Sequence, residues 1–233
     1  MYKLRSLFVL LLLSNICLAQ SLKKGDIILN GNIGVPHLYK NIIKVAVNRD
    51  KFKEYFEGKL EVSSITGTNP IAVKGEYGIT KYFGLGFSAA FWTINVDVKD
   101  YYNIQNQSQG TTIQDSTDIY SFKISSKSYG IRPNLHIPME SRSNDLYIGL
   151  GMGITKNKLT IGFSSTDAGR LAKAFGKDLQ YDLSLPGGVY FAPSIGYRHY
   201  FGEYVGLNFE LGYEKGAIVQ AGIVLRYNVL KED

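Results

Sequence analysis

Apolar and polar residues alternate with a period of two along most of the chain after residue 25. The alternation is clearest over 205–214, where large apolar residues alternate with glycine, Asn208 and two glutamates. A period of two places successive side chains on opposite faces of a β-strand. Eight such stretches predict eight strands, at 26–35, 70–80, 84–98, 118–138, 144–155, 189–201, 205–214 and 217–229.

The connections between these strands differ in length. Those at 81–83, 140–143, 202–204 and 215–216 are short, whereas those at 36–69, 99–117 and 164–188 are long. The connection at 215–216 falls on the rim of the long loops. Short turns on one rim and mostly long loops on the other are typical of outer-membrane barrels, whose turns face the periplasm. We also expect an aromatic girdle on the short-turn rim, formed by Tyr82, Phe83, Tyr200, Phe201 and Tyr204.

In the third, fourth and fifth strands the apolar residues change phase partway. In the third strand, for example, Phe87, Ala89 and Phe91 give way to Trp92 and Ile94. A β-bulge shifts the phase of a strand by one residue. We therefore expect bulges in these three strands, in extensions that lie beyond a bilayer.

The contents of the two faces favour a membrane barrel over a soluble one. One face is large and apolar, and the other is glycine, small polar or charged. A narrow barrel interior needs small residues and paired charges, whereas a surface in water gains nothing from successive glycines. The polar face is predicted to carry a structural charged network inside the barrel, formed by Lys74, Glu76, Arg132, Arg198, Glu210 and Arg226.

Because the last three strands are consecutive, Glu210 is expected to pair with Arg198 or Arg226. Removing one partner of a buried ion pair is costly, so such charges are expected to meet a partner.

The N-terminus has the layout of a secretory signal peptide. Lys3 and Arg5 precede the apolar run 7–13, and small residues suit cleavage after Ala19. Residues 1–19 are thus predicted to be a signal peptide, and 20–233 a single barrel domain. A lipoprotein acylated at Cys17 is disfavoured, because lipoprotein processing requires a small residue before the cysteine and Ile16 stands there. Cys17 is the only cysteine, so the mature chain has no disulfide.

Neither the charge nor the motifs of the sequence indicate a catalytic, metal-binding or nucleic-acid-binding site. The net charge of +6 falls to +4 without Lys3 and Arg5, and the remaining basic residues are scattered, so no nucleic-acid partner is expected. The three histidines, His37, His136 and His199, lack the spacing of metal ligands. Ser194 and His199 fall on different faces of one strand, which disfavours a hydrolase. No enzyme activity, cofactor or metal is predicted.

Three segments carry a resemblance to a known family. Residues 69–80 with 83–86, residues 147–153, and residues 197–201 with 209–213 are similar to hairpins of the Gram-negative outer-membrane β-barrel family, which is porin-like. The resemblance covers nearly all of 25–229. It implies an all-β, eight-stranded antiparallel up-and-down transmembrane β-barrel in the cell outer membrane. It also implies contact with outer-membrane lipids and the insertion machinery.

The interior of an eight-stranded barrel is about filled by side chains, so a wide pore is not expected. We predict a monomer with a structural or surface-interaction role through its long loops, whose extracellular ligand the sequence leaves unidentified. The alternatives are a small-solute channel, a barrel-type lipid-modifying enzyme, or a soluble exported ligand-binding barrel.

Overall fold

A computed structural model describes residues 21–47, 60–104, 114–139, 141–165 and 180–230. The predicted signal peptide and parts of the three long connections lie outside the described residues. Within the described part, eight antiparallel strands close a barrel in which each strand pairs with the next and β8 pairs with β1. The strands are β1 (Asp26–Val35), β2 (Leu60–Gly78), β3 (Phe83–Ile104), β4 (Gln114–Ile137), β5 (Asn144–Ser165), β6 (Gln180–Tyr200), β7 (Val205–Glu214) and β8 (Ala217–Asn228).

This topology confirms the predicted all-β, eight-stranded antiparallel up-and-down barrel. We call the end with the connections at 79–82, 138–143 and 201–204 the turn side, and the opposite end the loop side. The described ranges hold no helix with the length and apolar content needed to cross a membrane.

The two faces of the barrel wall have opposite polarity near the turn side. Leu207, Phe209 and Leu211 point outward and are 38–59% exposed, whereas Asn208 and Glu210 point inward and are buried. The outward apolar residues span nine positions on most strands, for example 83–91 on β3, 129–137 on β4 and 146–154 on β5. Nine residues approach the nine to eleven that a tilted strand needs to cross a bilayer. An apolar exterior around a charged interior is the distribution of a transmembrane barrel.

The polarity of the two faces inverts toward the loop side. On β3 the outward residues pass from Phe87, Ala89 and Phe91 to Thr93 and Asn95. The inward residues change in the opposite sense, from Ser88 to Trp92 and Ile94, and Ile94 is fully buried. The outer wall beyond the apolar band therefore suits water and not lipid.

The expected bulges in β3 and β4 are wrong. The pairing of β3 with β4 runs without a register shift from Phe83↔Leu135 to Ile104↔Gln114. The irregularities lie between β2 and β3, between β5 and β6 near Thr155 and Asn157, and between β7 and β8 near Leu211 and Glu214. β4 keeps its register with both neighbouring strands, so its apolar residues change faces because the medium outside the wall changes.

Five strands continue beyond the apolar band. β2 to β6 have 19 to 24 residues, whereas β1, β7 and β8 have 10 to 12. The connection expected at 36–69 contains a helix, α1 (Leu38–Val47), and the first part of β2. α1 lies at the loop side, where the Leu38 amide donates a hydrogen bond to the Gly216 carbonyl oxygen at 2.8 Å.

The turn side is closed by residues that precede β1. Leu22 is fully buried and packs with Ile28, Tyr200 and Val224 in an apolar cluster inside the barrel. Tyr200 therefore points inward at 2% exposed, unlike Phe201 and Tyr204, and it does not belong to an outer aromatic girdle. The Ser21 hydroxyl donates to Asp145 at 2.9 Å and holds this segment in place.

Candidate functional site: the barrel interior

Two groups of buried charges fill the barrel between the loop side and the turn side. We call Lys74, Arg132, Glu210 and Glu214 the loop-side cluster. We call Glu76, His136, Asp145 and Arg198 the turn-side cluster. All eight side chains point into the barrel, and all are at most 6% exposed.

The loop-side cluster joins opposite walls of the barrel. Lys74 on β2 lies 2.6 Å from Glu210 and 2.5 Å from Glu214, both on β7. Arg132 on β4 reaches the same two carboxylates at 3.0 and 3.1 Å. Two cations thus face two anions, which compensates the cost of removing each charge from water.

Neutral side chains add hydrogen bonds to this cluster, in which Glu214 Oε1 alone has no hydrogen-bond partner. The Tyr147 hydroxyl donates to Glu210 at 2.5 Å, and Arg132 donates to the Ser194 hydroxyl at 2.5 Å. Gln220 accepts a hydrogen bond from Lys74 at 3.0 Å and donates one to Glu214 at 3.1 Å. Such neutral partners stabilise a buried charge network, because an unpaired polar group is costly in a medium of low dielectric constant.

The turn-side cluster is built around His136. Its Nδ1 lies 2.7 Å from Asp145 and its Nε2 lies 2.5 Å from Glu76. Arg198 binds the same two carboxylates, at 2.9 and 2.7 Å, and its guanidinium lies 4.0 Å from the centre of the Tyr147 ring. Because carboxylate oxygens only accept hydrogen bonds, both ring nitrogens can donate only in the imidazolium form, which gives two cations for two anions.

No family model matches the chain, and no curated protein matches it either. Among solved structures, the attachment invasion locus protein Ail of Yersinia pestis aligns at 14% identity over 88% of this chain and 99% of its own, with a TM-score of 0.36. The outer membrane protein OprG from Pseudomonas aeruginosa aligns at 13% identity over 89% and 98%, with a TM-score of 0.40. The barrel fold itself follows from the strand pairing of this chain, independently of these alignments.

The six residues predicted from the sequence fall in three places. Lys74, Arg132 and Glu210 meet in the loop-side cluster, and Glu76 and Arg198 meet in the turn-side cluster. Arg226 lies apart at the turn-side end, where it donates to the carbonyl oxygens of Ser21 and Arg142 at 3.0 and 3.1 Å. That these contacts serve stability and not catalysis stays a prediction.

The expected pairing of Glu210 with Arg198 or Arg226 differs from the observed one. Across β6 and β7, Glu210 is opposite Gly196, and across β7 and β8 it is opposite Gln220. Arg226 is six residues from Gln220, which is about 20 Å along a strand at 3.3 Å per residue. Lys74 and Arg132 come from strands across the lumen, which the narrow barrel brings within reach.

The network predicted from the sequence does not include Glu214, Asp145 and His136. Glu214 and His136 do occupy the inward phase of their strands, so alternation alone identifies their face. Asp145 is the second residue of β5 and shares the phase of Tyr147 and Gly149. The described residues contain no group of three or more His, Cys, Asp or Glu side chains arranged to hold a metal ion.

An aromatic group covers the interior at the loop side. Tyr39 of α1 stacks on Trp92 with ring centres 5.1 Å apart, and His37 meets Trp92 edge to face at 5.3 Å. The Tyr39 and Tyr213 hydroxyls lie 2.5 Å apart. Burial, together with this hydrogen bond, raises the pKa of Tyr39 to about 12, so its hydroxyl stays neutral at physiological pH.

Proposed function

We propose that this protein is an integral outer-membrane barrel with a closed interior, which holds its five-stranded extension at the cell surface. The interior carries the proposal, because ion pairs cross the lumen at two levels and leave it packed with side chains. The apolar band supports a position in the bilayer, with the short turns toward the periplasm. In this arrangement neither catalysis nor bulk diffusion is the role of the barrel.

The outer face of the extension supports contact with anionic groups at the membrane surface. Lys127 and Lys156 are the first outward residues beyond the apolar band on β4 and β5, and they are direct partners across these strands. Like charges opposite each other destabilise a sheet unless something neutralises them. Anionic lipid headgroups at this level supply that neutralisation, so we infer that outer-membrane lipids bind here.

A solute-flux experiment tests the closed interior. Purified protein is reconstituted into liposomes, and the efflux of chloride and the entry of small sugars are measured beside empty liposomes. A general-diffusion porin reconstituted in parallel supplies the positive signal. We expect the wild-type protein to match empty liposomes, as does the matched surface variant Lys158→Ala, which alters an exposed ion pair with Asp182.

Flux through the wild-type barrel well above that of empty liposomes would contradict the closed interior. The small-solute channel would then replace the proposed role. Heat-dependent migration on a denaturing gel, which reports a folded barrel, is recorded for each preparation so that absent flux is not confused with absent protein.

A further inference from the structure

The barrel wall has a lateral gap between β6 and β7. These strands pair only from Ser194↔Gly212 to Tyr200↔Gly206, although β6 continues toward the loop side as far as Gln180. Val189 and Phe191 lie on this unpaired part of β6, face outward and are 74% and 64% exposed. The gap therefore opens at the loop-side edge of the apolar band.

A cavity of about 290 Å³ lies behind the gap. Phe191 and Tyr213 from the outer face line it, together with Trp92, Ile124 and Tyr190 from the inner face. Its size is at the small end of ligand pockets, which run from roughly 300 to 1,000 Å³. Residues of the outer and inner faces both line it, which places the cavity in the barrel wall at the gap.

A buried lysine faces this cavity. Lys215, in the turn between β7 and β8, is 8% exposed, and its ammonium lies over the Tyr190 ring and donates to the Thr155 hydroxyl at 3.3 Å. The salt bridges of the described residues do not include Lys215. In neighbouring Glu214, Oε2 is bound by Lys74 and Arg132, and Oε1 has no hydrogen-bond partner. Burial lowers the pKa of Lys215 to about 7, against a smaller opposing effect of Glu214. A bound anion at this site would favour the charged form of the Lys215 amine.

We propose that this cavity binds a single-chain anionic amphiphile, a fatty-acid-like carboxylate that enters from the bilayer between β6 and β7. The carboxylate meets the Lys215 ammonium inside the barrel. The apolar tail leaves between Phe191 and Tyr213 and stays in the lipid. The proposal rests on the proposed membrane position of the apolar band, and it does not depend on the surface role.

Photolabelling tests this site. The full-length protein in phosphatidylcholine nanodiscs is exposed to dodecanoate that carries a diazirine on its tail, or to the matched dodecanol probe, and labelled peptides are mapped by mass spectrometry. We expect the carboxylate to label the segment around Phe191 at least ten times more than the alcohol does. Lys215→Met should abolish this preference, Lys215→Arg should retain it, and Lys158→Met, at a surface lysine, should leave it unchanged.

Equal labelling by the two probes in the wild-type protein would overturn the proposal, as would equal carboxylate labelling of the wild-type protein and Lys215→Met. Carboxylate labels spread evenly over the apolar band would show ordinary lipid contact and would also overturn it. The comparison of the two probes on the wild-type protein needs no variant, so it decides the matter even if Lys215→Met fails to fold. Loss of heat-dependent migration in the wild-type nanodiscs would instead indicate failure of the barrel proposal.

Discussion

At the residue scale, the dominant feature is that charges meet across the lumen and not along the wall. Lys74 and Arg132 each contact Glu210 and Glu214, although they come from different strands. The free energy of each charge therefore depends on the others. Removing one partner of a buried pair costs about 3–5 kcal/mol, whereas an exposed pair contributes about 0–1 kcal/mol.

A double-mutant cycle measures this dependence. We expect Glu210→Gln and Arg132→Met to show a coupling free energy of about 1 kcal/mol or more, because their side chains are 3.0 Å apart. Glu210→Gln and Arg226→Met should show less than about 0.5 kcal/mol, because these residues share no contact. The free energy of unfolding in lipid is obtained from urea titrations of the heat-dependent gel band.

The opposite ranking of the two cycles would contradict the observed network. It would instead support the pairing of Glu210 with its sequence-adjacent strands.

The sequence predicts which side chains point into the barrel, but it does not predict which of them contact each other. Alternation correctly placed Glu210 and Asn208 inward, because a period of two needs no knowledge of neighbouring strands. It did not identify the partners, because a partner across the lumen depends on the height of each residue along a tilted and staggered wall. That height depends on the register between all eight strands, and the residue pattern within one strand does not determine this register.

At the element scale, β4 passes through two environments without a break in its register. Outward residues change from Tyr129 and Ile131 to Lys127 and Ser125, while the pairing with β3 and β5 continues. The apolar phase was interpreted from the sequence as evidence for a bulge. The change of phase instead indicates which face of the sheet contacts the less polar medium at each level. Helix α1 was not predicted, for a different reason. A segment of ten residues is too short for periodicity alone to distinguish a helix from a loop.

Two arginine substitutions on the same face of β4 test this boundary. Ile131→Arg places a charge within the apolar band, where arginine costs about 2–4 kcal/mol near the bilayer midplane. Ser125→Arg adds the same side chain six residues away on the same outward face and should cost close to nothing. The yield of heat-modifiable protein and the urea midpoint in lipid vesicles give the comparison.

Equal tolerance at both positions would contradict a lipid-facing band and favour a soluble exported barrel.

At the scale of the whole molecule, the boundary of the apolar band and the lysines beyond it define one surface. Each basic residue close to an anionic membrane contributes about 1 kcal/mol of attraction, which salt screens. Lys123 lies four residues beyond Lys127 on β4 and is correspondingly farther from the band. The position of the lysines, more than their number, decides whether they meet headgroups.

We therefore expect the unfolding free energy of the wild-type barrel to rise when anionic phosphatidylglycerol replaces part of the phosphatidylcholine in vesicles. The rise should shrink by about 1–2 kcal/mol in the double variant Lys127→Gln/Lys156→Gln and should persist in Lys123→Gln. High salt should remove the difference between the lipids. A rise of the same size in all three proteins would show that these lysines do not contact the headgroups.

The crossing ion pairs also constrain the order of assembly. Both carboxylates of the loop-side cluster arrive on β7, whereas their cations sit on β2 and β4, which precede it in the chain. A half-formed sheet would hold Lys74 and Arg132 without counter-charges, so lipid cannot close around it at low cost. When the hairpin of β7 and β8 adds to the sheet, Glu210 and Glu214 neutralise the two cations and the barrel closes in the same step. An intermediate that lacks this hairpin must keep the cations on its concave side in contact with water. Insertion into the bilayer therefore becomes an all-or-none step that is completed only when the last hairpin is added.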